Sequence, residues 1–144
     1  MERAQLLECN SLALREAGRS ISQIYDQFMA PVGLRSTQFS LLVRLKKLGP
    51  ISINALAAEL GVDRSTMGRN LLPLQRDGLV AIEPHADDKR RKALQLTALG
   101  ETRLKQGRVL WVQAQTAFET AFGPERAALL RELLRGVRDL TLPS

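Results

Sequence analysis

Four consecutive cations stand in the second half of the chain, between two short stretches of β-forming residues. They are Lys89, Arg90, Arg91 and Lys92, inside the segment VAIEPHADDKRRKALQLTAL at residues 80–99. Ammonium and guanidinium groups donate charge-assisted hydrogen bonds to phosphate and carboxylate oxygens, so a loop of this composition can bind a polyanion. The flanking residues predict a two-stranded hairpin that carries the cations near its tip.

A second set of hydrogen-bonding residues falls on one face of a helix predicted just before this hairpin, at residues 64–76. A turn of 100° per residue places Met67, Leu71 and Leu74 on one side. The opposite face carries Ser65, Arg69 and Arg76, with Thr66 and Gly68 at its flanks. Arginine can donate two hydrogen bonds to guanine, whereas serine and threonine bind bases or phosphates. Such a face can also be merely solvated, and its neighbours in the chain favour nucleic-acid binding.

The residues before that helix predict the first half of a helix-turn-helix. Ser52 can cap a short helix whose inward side carries Leu56 and Leu60, and Gly61 can end it. Asp63 can then cap the second helix after a three-residue turn. Two short helices joined by a turn that contains glycine are typical of a helix-turn-helix.

Apolar stripes with helical spacing occupy both ends of the chain. They predict a helix at residues 7–28, another capped by Ser36, a third from the cap Thr97 to Phe122, and a last one ending near Leu140. One small helix-turn-helix cannot cover all these stripes. A homodimer is the simplest way to bury the surplus.

Size and composition favour one domain in the cytoplasm. The chain has 144 residues, of which 44% are apolar and 25% charged. No apolar run reaches the roughly 18 residues of a membrane span, and the first residues lack the apolar core of a signal peptide. We therefore expect no membrane partner. The single cysteine, Cys9, excludes an intrachain disulfide.

The net charge of +6 fits a polyanionic partner, and its distribution is informative. The stretch between Asp26 and Glu59 contains no acid. It carries the cations Arg35, Arg44, Lys46 and Lys47. This basic run precedes the hairpin and could border the same anion, although the two lysines also suit a helix C-terminus.

The chain lacks the common catalytic signatures. G-x-S-x-G, H-E-x-x-H, phosphate-binding and dinucleotide-binding loops are missing from the sequence. The one histidine, His85, lies near Asp87 and Asp88 in the predicted loop, where a weak metal site and a solvated loop tip are both conceivable. We expect neither an enzyme nor a cofactor nor a metal.

Three groups of residues carry a resemblance to a known family. They are Gly33-Leu34 with Gln38-Phe39 and Leu42, then LAAELGVDRSTMGRNLLPLQRDGLV at 56–80, and finally Asp88-Lys89-Arg90 with Leu96-Thr97 and Gly100. In the order of its predicted elements and in these local sequences, the chain resembles the MarR family of winged helix-turn-helix transcriptional regulators over about residues 5–140. The resemblance implies a mainly α fold with a small β-wing, forming a single domain over 1–144. A winged helix-turn-helix core at about 36–97 would lie between dimerisation helices at about 5–30 and 98–140.

The resemblance also implies roles for individual residues. Major-groove positions would be Ser65, Thr66, Gly68 and Arg69, with Gly68 replacing a larger polar residue common in relatives. Arg90 would enter the minor groove, and Asp88 would orient it or bind back to the helix. Phosphate contacts would be Lys89, Arg91 and Arg76.

The function expected from this resemblance is sequence-specific DNA binding by a homodimeric repressor on a pseudo-palindromic operator. An effector would bind where helical stripes converge, near Ala17, Ile21, Phe39, Leu42 and Trp111. An apolar pocket with few charges at this place would suit a small aromatic or phenolic acid.

Two alternatives within DNA binding stay open. Some members of the family sense peroxides through a cysteine on the first helix. Here the sensing position falls on Ser11, and Cys9 lies two residues earlier, roughly 200° around a helix. The aromatic residue expected near residues 35–37 is also missing. The other alternative is a DNA-binding protein that needs no effector.

Overall fold

The computed structural model describes residues 3–84, 87–88 and 90–143. Within them the secondary structure is mainly helical with one small antiparallel sheet, which confirms the predicted fold class. The helices are α1 (Arg3–Leu6), α2 (Asn10–Met29), α3 (Ser36–Leu48), α4 (Ile53–Leu60), α5 (Arg64–Arg76), α6 (Ala98–Phe122) and α7 (Pro124–Arg138). The strands are β1 (Val80–Pro84) and β2 (Lys92–Leu96). A 3₁₀ turn, Ala30–Val32, follows α2.

The two helices of the predicted helix-turn-helix begin at the predicted caps. Ser52 Oγ accepts a hydrogen bond from the Ala55 N–H at 3.1 Å, and Asp63 Oδ1 accepts one from the Thr66 N–H at 2.7 Å. Gly61 ends α4 with a φ of 67°, a left-handed conformation that glycine adopts without a steric cost. The turn between α4 and α5 is therefore encoded locally, and this part of the prediction is confirmed.

The N-terminal helices differ from the prediction at their first residues. Helix α2 begins at Asn10 rather than at residue 7, and α1 precedes it as a separate turn. The cap of α3 is Arg35, so the prediction that Ser36 caps this helix is wrong. The Ser36 N–H donates to Asp26 Oδ1 at 2.7 Å, because a carboxylate from α2 lies close enough to satisfy the start of α3.

The core joins α3, α4, α5 and the wing to the middle of α6. Its fully buried side chains are Met29, Leu42, Leu56, Met67, Leu71, Leu74, Leu79 and Leu94. Gly107 allows α6 to approach, since a Cβ atom at this position would lie 2.9 Å from the Phe39 ring. Close packing at this point fixes α6 against α3.

The wing consists of β1 and β2 with a short bridge from the chain before α4. Val80 pairs with Leu96 at the base of the hairpin and Pro84 with Lys92 near its tip. Ile51 exchanges two hydrogen bonds with Leu94, at 3.1 and 2.7 Å. The wing is thereby attached to the start of the helix-turn-helix.

The terminal helices leave apolar side chains exposed in the single chain. These include Leu14 and Ile24 on α2, Val109 and Val112 on α6, and Leu129, Leu133 and Val137 on α7. No described helix combines the length and apolar character needed to cross a bilayer. The predicted surplus of apolar surface is thus present on the faces of α2, α6 and α7.

Candidate nucleic-acid interface and adjoining cleft

Helix α5 presents to solvent the face predicted to read DNA. Met67 is fully buried on the opposite side, while Ser65 and Arg69 are exposed and Thr66 and Gly68 half-buried. A Cβ atom on Gly68 would meet nothing within 4 Å. The protein's own packing therefore does not require glycine here, and the surface beside it is free for a partner.

The start of α5 links the cap to the arginine on the exposed face. Thr66 Oγ1 donates to Asp63 Oδ2 at 3.0 Å and accepts from Arg69 Nη2 at 3.4 Å. The Thr66 N–H and hydroxyl both donate to the Asp63 carboxylate and hold its pKa below the usual range. Because the hydroxyl proton of Thr66 points to Asp63, this residue would meet a DNA partner mainly as an acceptor.

Arg76 stands on the last turn of α5, where a cation also suits the helix dipole. Its Nε atom lies 3.8 Å from Asp77 Oδ1, and both side chains are exposed. Such a pair in water contributes little stability, so the guanidinium remains available to other anions.

At the tip of the wing, Asp88 organises the backbone. Asp88 Oδ1 accepts from the Arg90 N–H at 3.0 Å, and its carbonyl oxygen accepts from the Arg91 N–H at 3.0 Å. The side chains of Arg90 and Arg91 are exposed. Asp88 thus holds the turn that carries the two arginines. Lys89, a predicted phosphate contact, lies outside the described residues.

The alternative of a metal site in this loop, which the sequence did not favour, involves His85, a residue outside those that the structure describes. Among the residues that are described, no group of three His, Cys, Asp or Glu side chains is arranged to hold a metal ion. Asp88 instead makes the backbone contacts of the wing turn.

An open cleft of about 1110 Å³ lies between α2, α3, α5 and α6. Ile21, Phe39 and Trp111, three of the five residues predicted for an effector site, line it. The other two do not: Leu42 is fully buried in the core, and Ala17 is exposed outside the lining. Leu42 faces inward because it shares the core side of α3 with Leu45.

The cleft carries far more charge than expected. Its lining includes the arginines Arg35, Arg44, Arg69, Arg76 and Arg108, and no aspartate or glutamate. The expectation of an apolar pocket with few charges is therefore wrong. Helices α3 and α5 turn polar faces toward the opening, and α6 adds an arginine. The acid-free stretch between Asp26 and Glu59 was the sequence signal for this surface.

Tyr25 is a cleft residue that the sequence did not single out. Its hydroxyl donates to Gln115 Oε1, Gln115 Nε2 donates to Glu119 Oε1 at 3.3 Å, and Arg131 Nη1 donates to the same oxygen at 2.7 Å. Burial, and then the nearby charge of Glu119, raise the pKa of Tyr25. The chain of bonds connects the cleft to α7 through α6.

Cys9 is exposed and occupies the cap position of α2 without a capping hydrogen bond from its side chain. Ser11, the residue at the family's sensing position, accepts a hydrogen bond from Arg15 Nη2 at 3.2 Å.

The sequence of the chain is similar to a known protein family and to curated relatives. The model of the MarR family matches residues 34–92. The HTH-type transcriptional repressor YetL of Bacillus subtilis is 31% identical over 97 residues, which are 66% of this chain and 58% of YetL. The chain thus spans little more than half of that relative's length.

Among the solved structures that match nearly the full chain are two complexes with DNA. The M. tuberculosis transcriptional regulator MosR, crystallised in complex with DNA, is 34% identical with a TM-score of 0.76, covering 93% of this chain and 99% of MosR. A variant of E. coli MarR complexed with operator DNA shares the fold, with 21% identity, a TM-score of 0.82, and coverage of 95% and 99%. The chain belongs to the MarR family of DNA-binding transcriptional regulators.

Proposed function

We propose that the protein is a homodimeric repressor that binds a pseudo-palindromic operator and is released by a small effector. The exposed face of α5 beside the arginines of the wing carries this proposal. Ser65, Gly68 and Arg69 would meet base edges in the major groove, and Arg90 would enter the minor groove. The similarity to MosR, which was crystallised with DNA, supports this assignment.

The dimer is proposed from the apolar faces of α2, α6 and α7. Exposed leucines and valines along these helices would lose contact with water if two copies paired through their terminal helices. A two-fold axis would then present two copies of α5 to one side of a duplex. Half-sites about one helical turn apart, ~10 base pairs, are the expected operator geometry.

The proposed repression and the proposed release from DNA by an effector are supported by different observations. YetL, a relative over two thirds of this chain, is named a transcriptional repressor. The cleft reaches from α2 and α6 to α5, so a ligand in it would touch both the dimerisation helices and the reading helix. Ile21, Phe39 and Trp111 supply an apolar wall for an aromatic or phenolic ring. The regulator would act in the cytoplasm, beside the chromosome.

The decisive experiment selects bound sequences from a random DNA pool and then measures two variants on the selected operator. Arg69→Ala should weaken binding by roughly 5- to 150-fold, as expected for a lost bidentate contact of about 1–3 kcal/mol, and should alter base preference. Arg90→Ala should weaken binding with little change of preference. Arg138→Ala, which removes an exposed arginine on α7 paired with Asp139, is the control.

The outcomes separate the parts of the proposal. Variants that bind like the parent across a salt titration would refute the groove assignments. A footprint with one short asymmetric site per bound monomer would refute the dimer. A failure to retain any DNA from the pool at low salt would refute DNA binding itself, because phosphate contacts are strongest there.

A further inference from the structure

Helix α5 carries an exposed leucine in the middle of its polar face. At 100° per residue, Leu72 falls about 20° from Ser65 and about 40° from Arg76 around the helix. The buried Met67 lies on the other side. The side chain of Leu72 is 61% exposed, more than that of any other leucine, isoleucine or valine in α3, α4 or α5. Packing within the chain therefore does not account for a leucine at this position.

Leu72 also stands apart from the other exposed surfaces of the protein. The residues of α5 that line the cleft are Arg69, Asn70, Pro73 and Arg76, and Leu72 is not among them. The apolar faces proposed to pair two copies lie on α2, α6 and α7. Neither the cleft nor such a dimer would cover Leu72, so its partner is the molecule that meets the reading face of α5.

A glycine lies beside Leu72 on the same face. Gly68 is one turn earlier and about 40° away around the helix. A Cβ atom on Gly68 would meet nothing within 4 Å, so no side chain, that of Leu72 included, fills the adjoining space. Glycine inside a helix lowers stability relative to alanine, and neither packing nor a left-handed backbone requires it here. The two residues leave an open space with an apolar side on the surface of α5.

We propose that Leu72 is a specificity-determining residue that recognises a thymine of the operator. In the major groove thymine exposes a methyl group on C5, and apolar side chains recognise it by contact. The methyl groups of Leu72 contact this C5-methyl group, and Gly68 gives the edge of the base room to approach α5. Arg69 and Arg76 on the same face favour a polyanionic duplex over an apolar protein as the partner. The inference rests on the proposed function, because it needs α5 in the major groove.

Helix geometry also gives the place of the thymine. Leu72 lies three residues after Arg69, which is about 4.5 Å along the axis of α5, and base pairs are spaced ~3.4 Å apart. The thymine is therefore expected within about two base pairs of the position that Arg69 reads. In a pseudo-palindromic operator it should occur once in each half-site.

The experiment begins with selection from a random DNA pool, with the parent protein and with Leu72→Ala. The parent should prefer thymine at one position in each half-site, close to the position whose preference changes in Arg69→Ala. Leu72→Ala should lose the preference for thymine there and keep the preferences at the other positions.

Uracil then replaces this thymine in one half-site of the selected operator. Uracil keeps the base pairing and the O4 acceptor of thymine and lacks only the methyl group. The parent should bind the uracil operator about fourfold more weakly, the factor expected for one buried group of this size. Leu72→Ala should bind the thymine and uracil operators with equal affinity. Because each variant is compared with itself on two DNAs, a general loss of affinity does not affect this ratio.

Three further variants test the contact. Leu99→Ala shortens a leucine that is 48% exposed on the first turn of α6, outside the reading helix, and should keep the fourfold ratio. Leu72→Met keeps an apolar side chain of similar volume and should retain most of the ratio. Gly68→Gln fills the open space and should weaken binding to the thymine operator at least fivefold. Urea unfolding should show that Gly68→Gln is at least as stable as the parent, since glutamine favours a helix more than glycine does.

Three results would overturn the inference. The same preference for thymine over uracil in Leu72→Ala as in the parent would show that another group recognises the methyl. A Leu72→Ala variant with every base preference of the parent would exclude Leu72 from the groove and leave its exposed surface to a protein partner. Parental affinity in Gly68→Gln would refute the role of the open space. Failure of the proposed function is recognised separately, because the parent would then enrich no sequence, or Arg69→Ala and Arg90→Ala would bind like the parent.

Discussion

Replacement of Gly100 by alanine tests how rigidly α6 is attached to the wing. Gly100 is the third residue of α6 and lies against the backbone of Leu79, just before β1. A Cβ atom on Gly100 would stand 2.1 Å from the Leu79 carbonyl oxygen and 3.1 Å from its carbonyl carbon. Both contacts are with backbone, so no side-chain rotation can relieve them.

Gly18 offers a matched control inside α2. A Cβ atom there would meet nothing within 4 Å. Gly18→Ala should therefore only reduce the conformational entropy of the unfolded chain, which stabilises the protein by about 0.5–1 kcal/mol. At Gly100 the same gain is opposed by overpacking, which costs typically ~1–3 kcal/mol and more where the backbone must move. Because the gain is the same at both glycines, the two variants should differ in the free energy of unfolding by the overpacking cost alone, about 1–3 kcal/mol.

Urea unfolding followed by circular dichroism measures this difference. With a slope of about 2 kcal/mol per M, the midpoints of the two variants should lie roughly 0.5–1.5 M apart. All samples are compared at one protein concentration, since association shifts apparent stability. A Gly100→Ala variant as stable as Gly18→Ala would refute the reasoning, because it would mean that α6 and β1 can separate by more than 1 Å at no cost.

Two further predictions concern helix caps. Thr97→Val should lower the free energy of unfolding by about 2 kcal/mol, because it removes two hydrogen bonds. Thr97 Oγ1 accepts from the Gly100 N–H at 3.0 Å and donates to the Gly78 carbonyl at 2.6 Å. Thr97→Ser keeps both bonds and should change the free energy of unfolding by much less. Asp63→Ala should destabilise the protein at pH 7. The folded-state pKa of Asp63 lies below the unfolded value of about 3.9. The difference in stability between the parent and Asp63→Ala should therefore persist above pH 4 and shrink as the pH falls through the folded-state pKa. A stability difference that stayed constant down to pH 2 would contradict a role for the carboxylate charge.

The parts of the fold that sequence predicted correctly are those determined by neighbouring residues. The caps at Ser52, Asp63 and Thr97 act within three residues of their own position. The left-handed turn at Gly61 and the strand at Lys92–Leu96 are equally local. Local hydrogen bonds and backbone preferences decide these features, so the order and type of the central elements could be predicted before any packing was known.

The features that sequence missed depend on contacts between distant segments. Ser36 has the residue type of a cap, but the carboxylate of Asp26, ten residues earlier, satisfies the start of α3 instead. Tyr25 meets Gln115 across 90 residues of sequence. Periodicity placed Leu42 on an apolar face and could not tell whether that face lines a cleft or fills the core. Only the packing of α2 and α6 against α3 decides this.

The junction that Gly100 occupies also explains how the cleft and the wing can influence each other. Thr97 Oγ1 donates to the carbonyl of Gly78, in the connection between α5 and β1, and the Thr97 N–H donates to the carbonyl of Leu79 at 3.1 Å. Helix α6 therefore starts at a point fixed to both the reading helix and the wing, and the same helix carries Arg108 and Trp111 into the cleft. A ligand that displaced α6 would therefore act on the connection between α5 and the wing. Displacement of α6 would then be a route from the cleft to the wing, and Gly100→Ala would alter that route.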